Sequence, residues 1–99
     1  MRPIHMARLD KTRPVLVLTR ELVRPYLNTV TIAPITSVVR GLSTEVPVGP
    51  TNGLEATSVV ACDHVTTVPA DALGDQIGRL LESQEAQLSD AIRAAFDLD

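Results

Sequence analysis

Aromatic side chains are almost missing. Tyr26 and Phe96 are the only two, and there is no tryptophan. Nucleic-acid modules that stack bases need several exposed rings, so that mode is disfavoured. Cysteine is equally scarce. The single Cys62 excludes an intramolecular disulfide framework and a multi-cysteine zinc knuckle, and it fits a reducing compartment. Histidine occurs twice, at His5 and His64. Neither stands at ligand spacing with Cys62 or with a carboxylate pair, so no metal site is expected. The five glycines match neither the phosphate-cradling loop nor the dinucleotide pattern. No apolar run approaches the ~20 residues of a membrane span, and the N-terminus has no signal-peptide core. These absences predict a soluble cytoplasmic protein with no cofactor and no membrane partner.

What is present suits one small folded unit. The chain has 99 residues, 44% hydrophobic and 21% charged, which predicts a single domain over residues 1–99 rather than disorder. Its charge is unevenly spread. Residues 1–40 carry seven bases, six of them arginine, against two acids, whereas residues 41–99 carry two bases against ten acids. A basic half rich in arginine invites a polyanion, and an acidic half can serve a basic partner. Charge runs alone are weak evidence, since the halves also suit a solvated surface in which they pair with each other.

Hydrophobic periodicity places the elements. Ile4 to Leu9 partly alternates and reads as an edge strand. Pro14 to Leu18 is a continuous apolar run, the pattern of a buried strand with proline at its start. Arg20 to Asn28 is irregular and reads as a loop or a single turn. Thr29 to Thr36 is rich in β-branched residues and reads as a second buried strand, with Pro34 marking a bulge or an edge. Arg40-Gly41-Leu42 reads as a turn, Thr44 to Val48 as a short strand, and Gly49 to Gly53 as a second turn. Thr57 to Cys62 and Val65 to Val68 are further strands, separated by Asp63-His64. Asp75 to Leu81 fits a last strand or a helical turn. Ser83 is placed to cap a helix whose Leu88, Ile92, Ala95 and Phe96 share one face. The predicted architecture is mainly β with a C-terminal α-helix, a strongly bent antiparallel sheet or partial barrel.

Several chemistries fit these residues poorly. Nothing in the spacing brings His5 and His64 together as an acid–base pair, and each reads as a surface or half-buried residue. Cys62 reads as an inert strand cysteine rather than a nucleophile. Arginine, threonine, serine and aspartate remain. RNA cleavage by its own 2′-hydroxyl requires that the protein orient a phosphate, stabilise charge on its oxygens and move two protons. Composition permits this chemistry without selecting it.

Three segments bear a resemblance that does select it. Arg13-Pro14-Val15-Leu16-Val17-Leu18-Thr19 resembles the "RPVLV" strand of the MazF/PemK (Kid) toxins. Thr31 to Ser37, followed by Arg40-Gly41 and Thr44-Glu45-Val46, resembles their next strand and its "P-x-T-S/T" end. Ser58 to Asp63, followed by Thr66-Thr67-Val68, resembles their "GxVxCDQxxTI" strand pair. Leu73 to Phe96 fits their closing segment and helix. The resemblance implies an SH3-like partial barrel related to CcdB. It also implies a homodimer and a metal-independent endoribonuclease of a toxin–antitoxin system. Such an enzyme cuts single-stranded RNA to leave a 2′,3′-cyclic phosphate and a 5′-hydroxyl. Its implied partner is a cognate antitoxin of the MazE kind with an acidic flexible segment.

The resemblance further implies that Arg13, Thr36 and Asp63 are catalytic. Arg13 would stabilise the phosphorane, Thr36 would hold the phosphate or Arg13, and Asp63 would orient an arginine or take a proton. Ser37, Arg40 and Arg20 are the expected RNA contacts. The sequence departs from the family pattern in two places. The loop before the "RP" motif is reduced to Asp10-Lys11-Thr12, and Ala61 stands where the Kid branch has an arginine. The alternative is a non-enzymatic toxin of the same fold that acts by binding protein, as the gyrase poison CcdB does. A pure binder has no need of the Arg13/Thr36 pair.

Overall fold

The computed structural model describes residues 2–99. Seven strands and one helix follow in the order β1 (Pro3–Arg8), β2 (Thr12–Val17), β3 (Thr29–Thr36), β4 (Glu45–Val48), β5 (Ser58–Ala61), β6 (Thr66–Pro69), β7 (Leu73–Arg79) and α1 (Glu85–Ala95). All pairings are antiparallel, in the spatial order β4-β5-β3-β2-β1-β7, with β6 on the first half of β3.

The apolar run of β2 is explained by burial on both faces. Leu16 joins Ile4, Ala33, Ile35, Val60 and Leu88 in the main core under the helix. Val15 and Val17 point the other way, into a second cluster with Ala7, Val30 and Ile32. A strand buried on both sides has no need to alternate polar with apolar.

Pro34 lies in neither an edge strand nor a bulge. It pairs with Val15 in the middle of the sheet. The Leu18 N–H donates to the Thr31 carbonyl at 2.9 Å, so alternation turns the backbone groups of Pro34 away from β2. On that side β6 ends at Ile32 and β5 begins at Ile35. The missing N–H therefore falls where β3 changes partners, and no ladder bond is lost. The same change of partner bends the sheet.

β1 is not an edge strand either. It lies between β2 and β7 because residues 73–79 form a full strand rather than a helical turn. The loop after β4 closes against this last strand. The Asn52 side chain is buried, receives the Gly49 N–H at 3.1 Å, and donates to the Arg79 carbonyl at 3.0 Å and to Gln84 Oε1 at 2.7 Å. Residues 52–53 and 77–78 approach so closely that a Cβ on Gly78 would overlap the Asn52 carbonyl, and one on Gly53 the Ile77 carbonyl.

The helix begins differently from expectation. Ser83 makes no cap; the Leu81 N–H instead bonds Gln84 Oε1 at 2.9 Å, ahead of a 3₁₀ turn that leads into α1. Leu88 and Ala91 are buried and Ile92 and Ala95 pack beside them, whereas Phe96 is exposed. No helix among the described residues is long and apolar enough to cross a membrane.

Candidate active site

Strand geometry puts Arg13 and Thr36 on one side of the sheet. The β2–β3 pairing ends with Val15 opposite Pro34. On the sheet face that Val15 and Pro34 share, alternation also puts Arg13 and Thr36, each two residues beyond that pair. Both line an open groove of about 470 Å³ together with Arg40, Asp63 and His64. Both also line a second groove of about 600 Å³ with Lys11 and Ser37. The pair thus stands at the junction of two depressions.

The Arg13 side chain is 28% exposed, and its Nη2 forms an ion pair with Asp10 at 3.2 Å. Its Nε is buried and makes no hydrogen bond among the described residues. A buried donor without a partner is costly, and here it leaves the guanidinium with unspent hydrogen-bonding capacity. The half-buried Thr36 accepts the Val38 N–H at 3.1 Å through Oγ1. That bond uses a lone pair and leaves the hydroxyl proton for another acceptor.

The β3–β4 loop is an ordered wall. Glu45 Oε1 accepts the N–H groups of Arg40 at 3.2 Å and Leu42 at 3.1 Å, and Gly41 supplies the left-handed φ of 73° that lets the chain wrap around the carboxylate. Thr44 Oγ1 donates to Asp63 Oδ2 at 2.6 Å, and the Cys62 N–H to the Thr44 carbonyl at 3.0 Å. Asp63 therefore faces the groove but orients Thr44. The carboxylate on Arg13 is Asp10. Ala61 presents only a methyl to the same wall, beside Pro34.

The remaining sequence-nominated residues separate. Ser37 is exposed and lines the second groove only. Arg40 lines the first only. Arg20 lies elsewhere, in a depression of about 200 Å³ shared with Arg2, Glu21 and Glu85. His5 is also remote, its ring Nδ1 lying 2.9 Å from the Gly74 carbonyl on β7.

His64 is the groove residue that sequence reasoning set aside. In an extended strand Asp63 and His64 would point to opposite faces. The chain instead turns as a 3₁₀ helix at Cys62–His64, which sends Cys62 into the core and leaves Asp63 and His64 on the groove. A polar Asp-His pair between two short apolar strands was the available signal. Burial, with the neighbouring Asp63 carboxylate adding to it, pushes the Cys62 thiol up to about 11, so it stays protonated and unreactive at neutral pH. No three His, Cys, Asp or Glu side chains converge as metal ligands among the described residues.

Residues 3–96 match the model of the PemK-like, MazF-like toxins of type II toxin–antitoxin systems. Endoribonuclease MazF3 of Mycobacterium tuberculosis is 65% identical over 99 residues, covering 100% of this chain and 96% of that protein. The solved Mycobacterium tuberculosis toxin MazF-mt6 superposes with a TM-score of 0.97 at 64% identity, covering 99% of both chains. A mycobacterial endoribonuclease solved with its cognate antitoxin shares the fold at a TM-score of 0.87 and 22% identity, covering 98% of this chain and 93% of that one. The match over residues 3–96 and the 65% identity across the whole chain place it in the PemK-like, MazF-like toxin family of type II toxin–antitoxin systems.

Proposed function

We propose that this chain, an endoribonuclease like its relatives, cuts single-stranded RNA through attack of a 2′-hydroxyl on the adjacent phosphate, without a metal cofactor. The products are a 2′,3′-cyclic phosphate and a 5′-hydroxyl. The observation that carries this reading is the Arg13/Thr36 pair at the junction of two grooves. An extended RNA strand lies along both, with the scissile phosphate at the pair.

Arg13 supplies positive charge to the phosphorane oxygens, where negative charge grows in the transition state. Its weak, partly exposed tie to Asp10 lets a phosphate compete for it. The Thr36 hydroxyl donates to a non-bridging oxygen. Asp63 holds the groove wall through Thr44. Ser37 and Lys11 line one approach and Arg40 the other, so the bases flanking the cut are read on both sides.

The same cations suit an acidic, flexible antitoxin segment, which would exclude RNA by occupying the groove. Exposed large apolar residues, including Val38, Val39 and Leu42 of the groove loop and Phe96 and Leu98 after the helix, support a homodimer. The site of action is the cytoplasm, with residues 1–99 working as one domain. The test is an RNA carrying a single 2′-deoxynucleotide 5′ of the cut. Cleavage there is lost while binding persists; cleavage that survives the deoxy substitution rules the mechanism out.

A further inference from the structure

Transesterification moves two protons, and the Arg13/Thr36 pair is suited to neither transfer. An arginine stays protonated throughout the physiological range, and a threonine hydroxyl is a hydrogen-bonding group rather than a neutral-pH acid. The first groove, which holds Arg40 and the Asp63 turn, offers four other candidates, Asp10, Glu45, Asp63 and His64, and the second adds Lys11 and Glu55 but no imidazole. The three carboxylates of the first groove are already engaged. Asp10 accepts from the Lys11 N–H and pairs with Arg13. Glu45 accepts two loop amides. Asp63 accepts from Thr44. Each is thereby turned toward its own wall of the groove or toward Arg13. The Asp10–Thr12 connection brings no imidazole to the opposite lip.

We propose that His64 is the general acid of this reaction, donating its imidazolium proton to the departing 5′-oxygen. The proposal rests on the transesterification reading above. As the 2′-oxygen bonds to phosphorus, its own proton passes to solvent in the open groove. The bond from phosphorus to the 5′-oxygen then breaks, and that oxygen takes the His64 proton to become the 5′-hydroxyl. His64 is recharged from water. Histidine is the side-chain type whose two protonation states both occur near neutral pH.

The charges around the ring come from several elements. Asp63 neighbours it on the same turn, Glu45 and Arg40 line the loop wall, and Arg13 and Asp10 line the strand wall. The charged groups of α1, which packs against this turn, are tied elsewhere, Glu85 to Arg2 and Arg93 to Asp90.

The experiment compares kcat/KM from pH 5 to 9, in EDTA, for wild type and His64→Gln. It uses ordinary RNA and an RNA with sulfur replacing the 5′-bridging oxygen at the cut. A thiolate leaves without protonation, so loss of a general acid is repaired by that substrate. Wild type loses activity as pH rises through the histidine range. His64→Gln is slower by about 10²–10⁴-fold on ordinary RNA, lacks that alkaline fall, and comes within about tenfold of wild type on the sulfur substrate. An unchanged rate in His64→Gln, or a deficit that the sulfur substrate leaves intact, overturns the assignment. The variant's circular dichroism and melting temperature match wild type, because His64 is exposed. Absence of cleavage by wild type on both substrates refutes the transesterification reading, and the acid role with it.

Discussion

Arg13 and Cys62 show how surroundings set what a side chain can do. Arg13 lies at the sheet margin, a quarter exposed, with a buried Nε that has no partner among the described residues. Arg13→Ala should lower kcat by about 10²–10³-fold, and Arg13→Lys should recover only part of this, because a point charge cannot replace a planar fork. Thr36→Ala removes one hydrogen bond to the phosphate and should cost about tenfold in single-turnover rate. Cys62 lies in the core, and its folded thiol keeps its proton to about 11, above its ordinary value of 9.0. In the folded state the group therefore binds its proton more tightly than in the unfolded chain. Its contribution to stability is complete below pH 9 and is lost as pH rises toward 11. Urea midpoints from pH 8 to 11 should fall more steeply for wild type than for Cys62→Ala, although the variant is the less stable at neutral pH.

Individual elements differ in how far the sequence revealed them. β2 and β3 were legible because burial on both faces leaves a continuous β-branched or apolar run. The short first loop and the turn at Gly41 were legible from local chemistry. Pro34 was misread as an edge signal because the exchange of β6 for β5 along β3 is a tertiary arrangement. Ser83 offered a plausible cap, but the side chain of Gln84 reaches Leu81, Asn52 and the Pro47 carbonyl and governs the helix start instead. His64 was set aside because no spacing brings it to His5, and its place on the groove depends on the 3₁₀ turn at Cys62–His64. The Asn52–Gln84 contact closes the bent sheet, so Asn52→Ala should destabilise by about 1–3 kcal/mol through unpaired buried groups. Leu88→Ala, which empties the core beneath α1, should cost about 2–5 kcal/mol in denaturant unfolding.

For the whole molecule, the basic first half and acidic second half do not divide into two functional faces. Arg13 and Arg40 share a groove with Asp10, Glu45 and Asp63, whereas Arg20 sits apart beside Glu21 and Glu85. Charge runs in the sequence therefore do not mark out one surface, and the candidate site was legible only through three motifs that the β2–β3–β5 sheet brings together. Arg40→Ala should weaken RNA binding several-fold and flatten its salt dependence, measured by fluorescence anisotropy on a 2′-deoxy substrate analogue; Arg20→Ala should leave both unchanged. The most direct test of the account is cleavage of an unstructured mixed-sequence RNA in EDTA by wild type, Arg13→Ala and Thr36→Ala, with analysis of the new ends. The account predicts defined cuts bearing 2′,3′-cyclic phosphate and 5′-hydroxyl ends, with Arg13→Ala losing about 10²–10³-fold and Thr36→Ala about tenfold in rate. Cuts that vanish in EDTA, carry other ends, or proceed equally in both variants would contradict it.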